Sequence, residues 1–254
     1  MKNRYLVFSI LILAAVQLLT AGGQTLAPVK TVWSGIYTTE QAARGEPAYK
    51  QMCARCHGQQ LEGTQGNGLV GKDFMERWRE DNMGSLLLFV SENMPPIRRG
   101  QGRPLIGIPT YLDIIAYVLA QNQFPAGTNP LTQEGLDDVM IQHKDGPQPL
   151  PNGALVRIAG CLTGSGESWS IASANDPIRT RTSETNDYEE FKLAEAAPAG
   201  TQSYRLFNLG FLTSQFNPQA HKGEKLLVKG SLVRQPDSLR LSVLGVRKIA
   251  DTCP

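Results

Sequence analysis

The chain has 254 residues, with 25 Lys and Arg against 23 Asp and Glu, so its formal net charge is only +2. A balance this even excludes the strong one-sided field that binds nucleic acid or anionic lipid, and partners must be met by local patches. The length exceeds one small domain, and four cysteines and three histidines leave few soft ligands to distribute.

At the N-terminus, Lys2 and Arg4 precede an apolar run from Tyr5 to Leu19, then Ala21-Gly22-Gly23. A basic start, an apolar stretch shorter than the roughly 20 residues of a membrane span, and small residues at its exit predict a secretory signal peptide over residues 1–23. Cleavage is expected after Gly23, with Ala21 as the next choice. No cysteine lies near this junction to take a lipid. The rival reading is an uncleaved N-terminal anchor, because the apolar stretch sits at the long end of the usual range.

Residues 32–125 read as helix and loop. Thr38-Thr39-Glu40-Gln41 is a helix-start signature, and Gly45, Tyr49 and Cys53 recur at i, i+4, i+8 along one face, which makes Gly45 and Tyr49 packing residues. That helix runs into Cys53-Ala54-Arg55-Cys56-His57. C-x-x-C-H is the attachment pattern of a c-type haem. Two thiols about one helical turn apart add across the haem vinyl groups, and the histidine directly after the second offers an imidazole nitrogen to the iron. A zinc half-site or a thioredoxin-like redox pair would share the cysteines, yet each predicts company that the chain lacks, since it holds no second C-x-x-C and no H-x-x-x-H. Covalent haem c is attached outside the cytoplasmic membrane, so motif and signal peptide together predict a periplasmic protein. That compartment permits disulfides, and the two remaining cysteines, Cys161 and Cys253, are a plausible pair.

Further on, Asn82-Met83-Gly84-Ser85 opens a short apolar helix, Leu86 to Glu92, stopped by Pro95-Pro96. The iron needs a sixth ligand, and Met94 follows this helix in a stretch that Pro95 and Pro96 stiffen. A thioether is soft and closes the site to added ligands. The competitors are Met75, Met83, Met140, His143 and His221. Met75 and Met83 lie in or beside segments that read as packed, and the two histidines read as surface residues. A last helix is expected from about Pro109 to Gln121, with Tyr111, Ile114, Ile115, Val118 and Leu119 at helical spacing. Tyr49 and Tyr117 read as core. His57 is the only histidine of this domain, so a peroxidase-like enzyme would lack its distal acid–base group, and an electron carrier is expected instead of an enzyme.

The stretches GEPAYKQMCARCHG (45–58), LVGKDFMERW (69–78), NMPP (93–96) and YLDIIAYVLAQNQFPAG (111–127) resemble the class I cytochrome c module found beside or fused to bacterial quinoprotein (PQQ-type) alcohol and glucose dehydrogenases. The resemblance covers about residues 32–127. It implies thioether bonds at Cys53 and Cys56, His57 as proximal ligand and Met94 as distal ligand, with one covalent haem c. A PQQ-dependent dehydrogenase as electron donor and a downstream cytochrome or oxidase as acceptor are implied as well. Where such modules often carry a Gly-Ser-Leu-Ser-like turn, this chain has residues 97–105, with Arg98, Arg99 and Arg103. These are expected near the haem edge as a docking patch for an acidic partner.

Residues 126–153 are rich in Pro, Gly and Asn and read as a linker with at most one short helical turn around Leu131 to Ile141. From 154 to 254 the grammar changes to short alternating runs: 154–162, 169–172, 204–207, 225–233 and 239–243. Five or six such strands with Gly and Pro turns predict a small closed or nearly closed barrel. Residues 221–233 and 238–249 resemble the last two strands of an OB-like barrel, with Gly230 at a sharp bend. Glu189, Glu190, Lys192 and Glu195 read as a solvated face, Trp169 as a core residue. The expected architecture is multidomain: an all-α class I cytochrome c domain followed by an all-β OB-like barrel. The expected function is single-electron transfer by a periplasmic mono-haem cytochrome. The alternative is a haem-containing subunit or sensor whose barrel serves as scaffold or binds a partner or small ligand.

Overall fold

A computed structural model of the chain describes residues 29–97, 105–212 and 216–253. The predicted signal peptide and Arg98, Arg99 and Arg103 lie outside these residues. Among the described residues no helix is long and apolar enough to cross a membrane.

The first half is helical. After a two-residue strand, β1 (Lys30–Thr31), come α1 (Thr39–Met52), α2 (Ala54–His57), α3 (Gly71–Trp78), β2 (Asp81–Asn82), α4 (Met83–Asn93), α5 (Ile108–Gln121) and β3 (Val139–Ile141). Thr38 caps α1 by accepting the Gln41 N–H at 3.2 Å, and Asn82 caps α4 by accepting that of Ser85 at 2.7 Å. Each cap satisfies a donor that the first turn leaves orphaned, so these helices begin where the sequence says they should. The long pair α1 and α5 forms the frame. Gly45 lies against the Asp113 carbonyl so closely that a Cβ there would collide with it, which is why this position carries no side chain. Beside that crossing Tyr49 and Tyr117 meet with ring centroids 5.4 Å apart, both buried as expected.

Residues 126–153 have more packing than a linker needs. Leu131, Leu136, Val139 and Ile141 are buried in the same core as α1 and α5. Strand β3 pairs with β1 in parallel and with β2 in antiparallel fashion, gathering three distant stretches into one small sheet. The buried amide of Gln41 grips the Leu131 backbone twice, donating to its carbonyl at 3.0 Å and accepting from its N–H at 2.7 Å. The one short helical turn expected here is present at Leu136–Asp138, and Val139 and Ile141 alternate with Met140 as a strand, but runs this short are buried by long-range contacts that pattern reading does not register.

The second half is a sheet-rich domain with its own core, in which Trp169, Tyr204, Leu226 and Val228 are buried. Its elements are β4 (Leu155–Ser165), β5 (Ser168–Ala174), β6 (Ile178–Arg179), α6 (Tyr188–Ala196), β7 (Gln202–Phe207), β8 (Lys225–Gln235) and β9 (Ser238–Ala250). The six strands run β5-β7-β9-β8-β4-β6, and β5 also pairs with β4, so five of them close into a ring. Within it β7 and β9 are parallel and the other neighbours antiparallel. The register between β8 and β9 slips between Lys229 and Gly230, at the expected bend. Cys161 on β4 is bonded to Cys253, with Cα atoms 5.8 Å apart and a sequence separation of 92.

The charge run at 189–195 departs from expectation at Glu190 alone, while Glu189, Lys192 and Glu195 are exposed as expected. The run forms α6, which lies on the outside of the barrel through Phe191, Ala194 and Ala197 against Ala159, Leu227 and Ile249. Glu190 turns inward to the sheet. It pairs with the fully buried Lys229, stands 3.8 Å from Arg157, and accepts the Thr180 hydroxyl at 2.7 Å. Arg157 and Lys229 are cross-strand neighbours, so one carboxylate answers two buried cations; a charge run looks solvated until the sheet that faces it is known.

The two halves touch through arginines that follow and belong to β6. Arg179 donates to the Arg79 carbonyl at 2.9 Å, just past the end of α3. Arg181 pairs with Asp81 and lies 4.1 Å above the Trp78 ring. A helix C-terminus presents carbonyls without intrahelical donors and a partial negative charge, and guanidinium groups satisfy both. Burial, followed by the charge of Arg181, pulls the Arg179 guanidinium down to about 10, still protonated at neutral pH.

Candidate functional site

The C-x-x-C-H motif occupies the turn where α1 gives way to α2. Cys53 ends α1, its N–H donating to the Tyr49 carbonyl at 2.8 Å, and its own carbonyl then accepts from Cys56 and His57, both at 3.0 Å. The two thiols and the imidazole are thereby carried on one tight turn. Ala54, between them, is buried in the core, while Cys53, Cys56 and His57 are half-buried and their thiols free. The Tyr49 hydroxyl donates to the Gly58 carbonyl at 2.8 Å, fixing the exit of the turn to α1.

The following loop folds back over the motif. Gly66 and Thr64 donate their N–H groups to the Cys56 carbonyl at 2.8 and 3.1 Å, and the Thr64 hydroxyl adds a third bond at 2.8 Å. This brings the Asn67 carbonyl to 2.7 Å from His57 Nδ1. A carbonyl only accepts, so Nδ1 carries the proton and the lone pair is left on Nε2, the arrangement that orients a metal-ligating histidine. Gly66 lines the ring itself. A Cβ there would stand 2.8 Å from His57 Cε1.

Burial, with the neighbouring Cys56 second, pushes the Cys53 thiol up to about 11. A dithiol oxidoreductase needs the opposite, an exposed cysteine with a depressed pKa, so this turn is poorly suited to thiol–disulfide exchange. Among the described residues no group of three or more His, Cys, Asp or Glu side chains could hold a metal ion.

Met94 caps the C-terminus of α4, and its N–H donates to the Val90 carbonyl at 2.9 Å. Its own carbonyl accepts the Tyr111 hydroxyl at 2.5 Å. Met94 is half-buried, whereas Met83 is fully enclosed at the start of α4 and Met75 leans on the core from α3. Met140 lies in β3, and His221 is held in the second domain, its Nδ1 2.6 Å from Glu224. Two contributors escaped the sequence reading. Asn67 acts through its backbone, which leaves no side-chain signal, and Tyr111 looks like one more apolar position of α5 until its hydroxyl is traced.

A family model described as cytochrome C oxidase, cbb3-type, subunit III matches residues 40–104, a stretch that contains the C-x-x-C-H turn, the loop over it and Met94. Searches among curated proteins and among solved structures give no match. The family match and the helical order together support a cytochrome c module in the N-terminal half: a haem-containing electron carrier with redox partners, joined to a separate sheet-rich domain.

Proposed function

We propose that this chain is a periplasmic mono-haem c-type cytochrome. Cys53 and Cys56 hold the haem by thioether bonds, and His57 and Met94 are the axial ligands. The observation that carries this reading is the His57 ring, whose Nδ1 is committed to the Asn67 carbonyl beside two unpaired thiols one turn apart. That donor set suits haem c in kind: two thiols to add across vinyl groups, and an imidazole with its tautomer already chosen.

Bound haem supplies one iron that alternates between ferrous and ferric. The protein's residues hold and insulate. The loop 58–69 keeps His57 in one orientation, the core residues of α1 and α5 exclude water behind the motif, and Met94 offers a thioether from a backbone fixed at both its N–H and its carbonyl. Two protein ligands leave no open position, which favours electron transfer over catalysis on the iron.

Electrons would come from a quinoprotein dehydrogenase and leave to a respiratory chain. The matched family's description names an oxidase subunit, which agrees with an acceptor on the oxidase side. The barrel, read as OB-like from its five-strand ring with one parallel pair, serves as a scaffold seated on α3 by Arg179 and Arg181.

Haem staining after denaturing electrophoresis, together with intact mass, tests the attachment. Colour that acid–acetone removes, or the mass of bare polypeptide, would rule out covalent haem. Met94→Ala should abolish the near-infrared sulfur-to-iron band of the oxidised protein and open the ferrous iron to carbon monoxide. If Met75→Ala does this instead, the distal ligand is Met75.

A further inference from the structure

The structure assigns Tyr111 as a positioning residue for the distal thioether, an inference that rests on the reading of Met94 as iron ligand. Tyr111 stands in the first turn of α5, only 4% exposed, and donates its hydroxyl to the Met94 carbonyl at 2.5 Å. On the other side of the same residue, the Met94 N–H is held by Val90 of α4 at 2.9 Å. Both backbone groups of Met94 are therefore fixed, one by each helix.

This bond has a consequence for the site as a whole. Helix α5 is pressed on α1 where Gly45 meets the Asp113 carbonyl, and α1 continues through Cys53 into the turn that carries His57. A continuous path of close contacts thus runs from the proximal histidine along α1, across to α5, and through the Tyr111 phenol to Met94. Without that phenol, Met94 would reach the helix pair that carries the histidine only indirectly, through the packing of α4 on α5, and its own carbonyl would lose its direct bond to α5. The carbonyl it leaves behind is among the last of α4, which have no intrahelical donor. Tyr111 therefore keeps the thioether's backbone in register with the opposite side of the iron, and its loss should free the sulfur to dissociate while leaving haem attachment intact.

The test uses the full haem-loaded chain and three variants. Tyr111→Phe removes the hydroxyl and keeps the ring. Tyr117→Phe makes the same change at another buried tyrosine of α5, one whose ring meets Tyr49. Met94→Ala removes the ligand itself. For each, the near-infrared band of the ferric protein is recorded, with the rate at which added imidazole displaces the distal ligand, the covalent haem content and the melting temperature. Tyr111→Phe should keep full haem content and the band at neutral pH, yet bind imidazole about tenfold faster, the equivalent of one lost hydrogen bond. Tyr117→Phe should leave that rate at the wild-type value even where it lowers the melting temperature. A Tyr111→Phe rate equal to wild type, or one that rises only as far as Tyr117→Phe for the same loss of thermal stability, would overturn the inference and leave Met94 in place. A band that survives Met94→Ala would overturn both.

Discussion

Tyr111, Asn67 and Gly66 show how much of the site is decided by atoms that a motif does not name. C-x-x-C-H was legible because its spacing is itself chemistry. Neither the carbonyl that sets the His57 tautomer nor the glycine against the ring was, because their roles exist only once the loop 58–69 has folded back. Gly66→Ala checks this. The added methyl would stand 2.8 Å from His57 Cε1, so ring or loop must shift. Haem loading, read as Soret absorbance per protein, should fall severalfold, about the loss that follows when a partner orienting a metal ligand is disturbed. Unchanged loading would show that the loop yields without moving the imidazole.

Elements were legible where local signals agreed with the tertiary outcome. Capped helices such as α1 and α4 and alternating strands such as β4 and β8 lie within a few residues of expectation. Helix α6 was missed because its charges matched a solvated face, and only the pair of cations on β4 and β8 explains why Glu190 turns inward. Removing that carboxylate strands two buried cations, one of them completely enclosed. Glu190→Gln should therefore lower unfolding free energy by about 3–5 kcal/mol, the usual cost of breaking a buried ion pair. Glu189→Gln, on the exposed side of the same turn, should stay within about 0.5 kcal/mol. Equal effects in denaturant titration would mean that Glu190 is screened by water.

At the level of the whole molecule, two cores are joined by few contacts, and residues 126–153 contribute to the first of them before the chain reaches the barrel. Residues 24–148 exported alone should fold and load haem, since the burial of α1, α5 and β3 is complete within them, although α3 loses its arginine caps. Loss of haem incorporation would show that those caps are required for the module to form. In the barrel, replacing Cys161 and Cys253 by Ser should cost up to about 4.6 kcal/mol, the loop-entropy value for a closure this long, seen as a lower denaturation midpoint for the barrel with the haem spectrum unchanged.

The ring of strands limits how this protein can be recognised. Along β4, one stretch is bonded to β6 and another to β5 on the same side, while β8 takes the opposite side. A foreign peptide that joins its host by adding a strand needs a free edge to copy, and the barrel offers it little backbone to bind. Contacts made there must run through side chains, and complexes of that kind can form and part quickly, as a carrier that meets one protein to be loaded and another to be emptied requires.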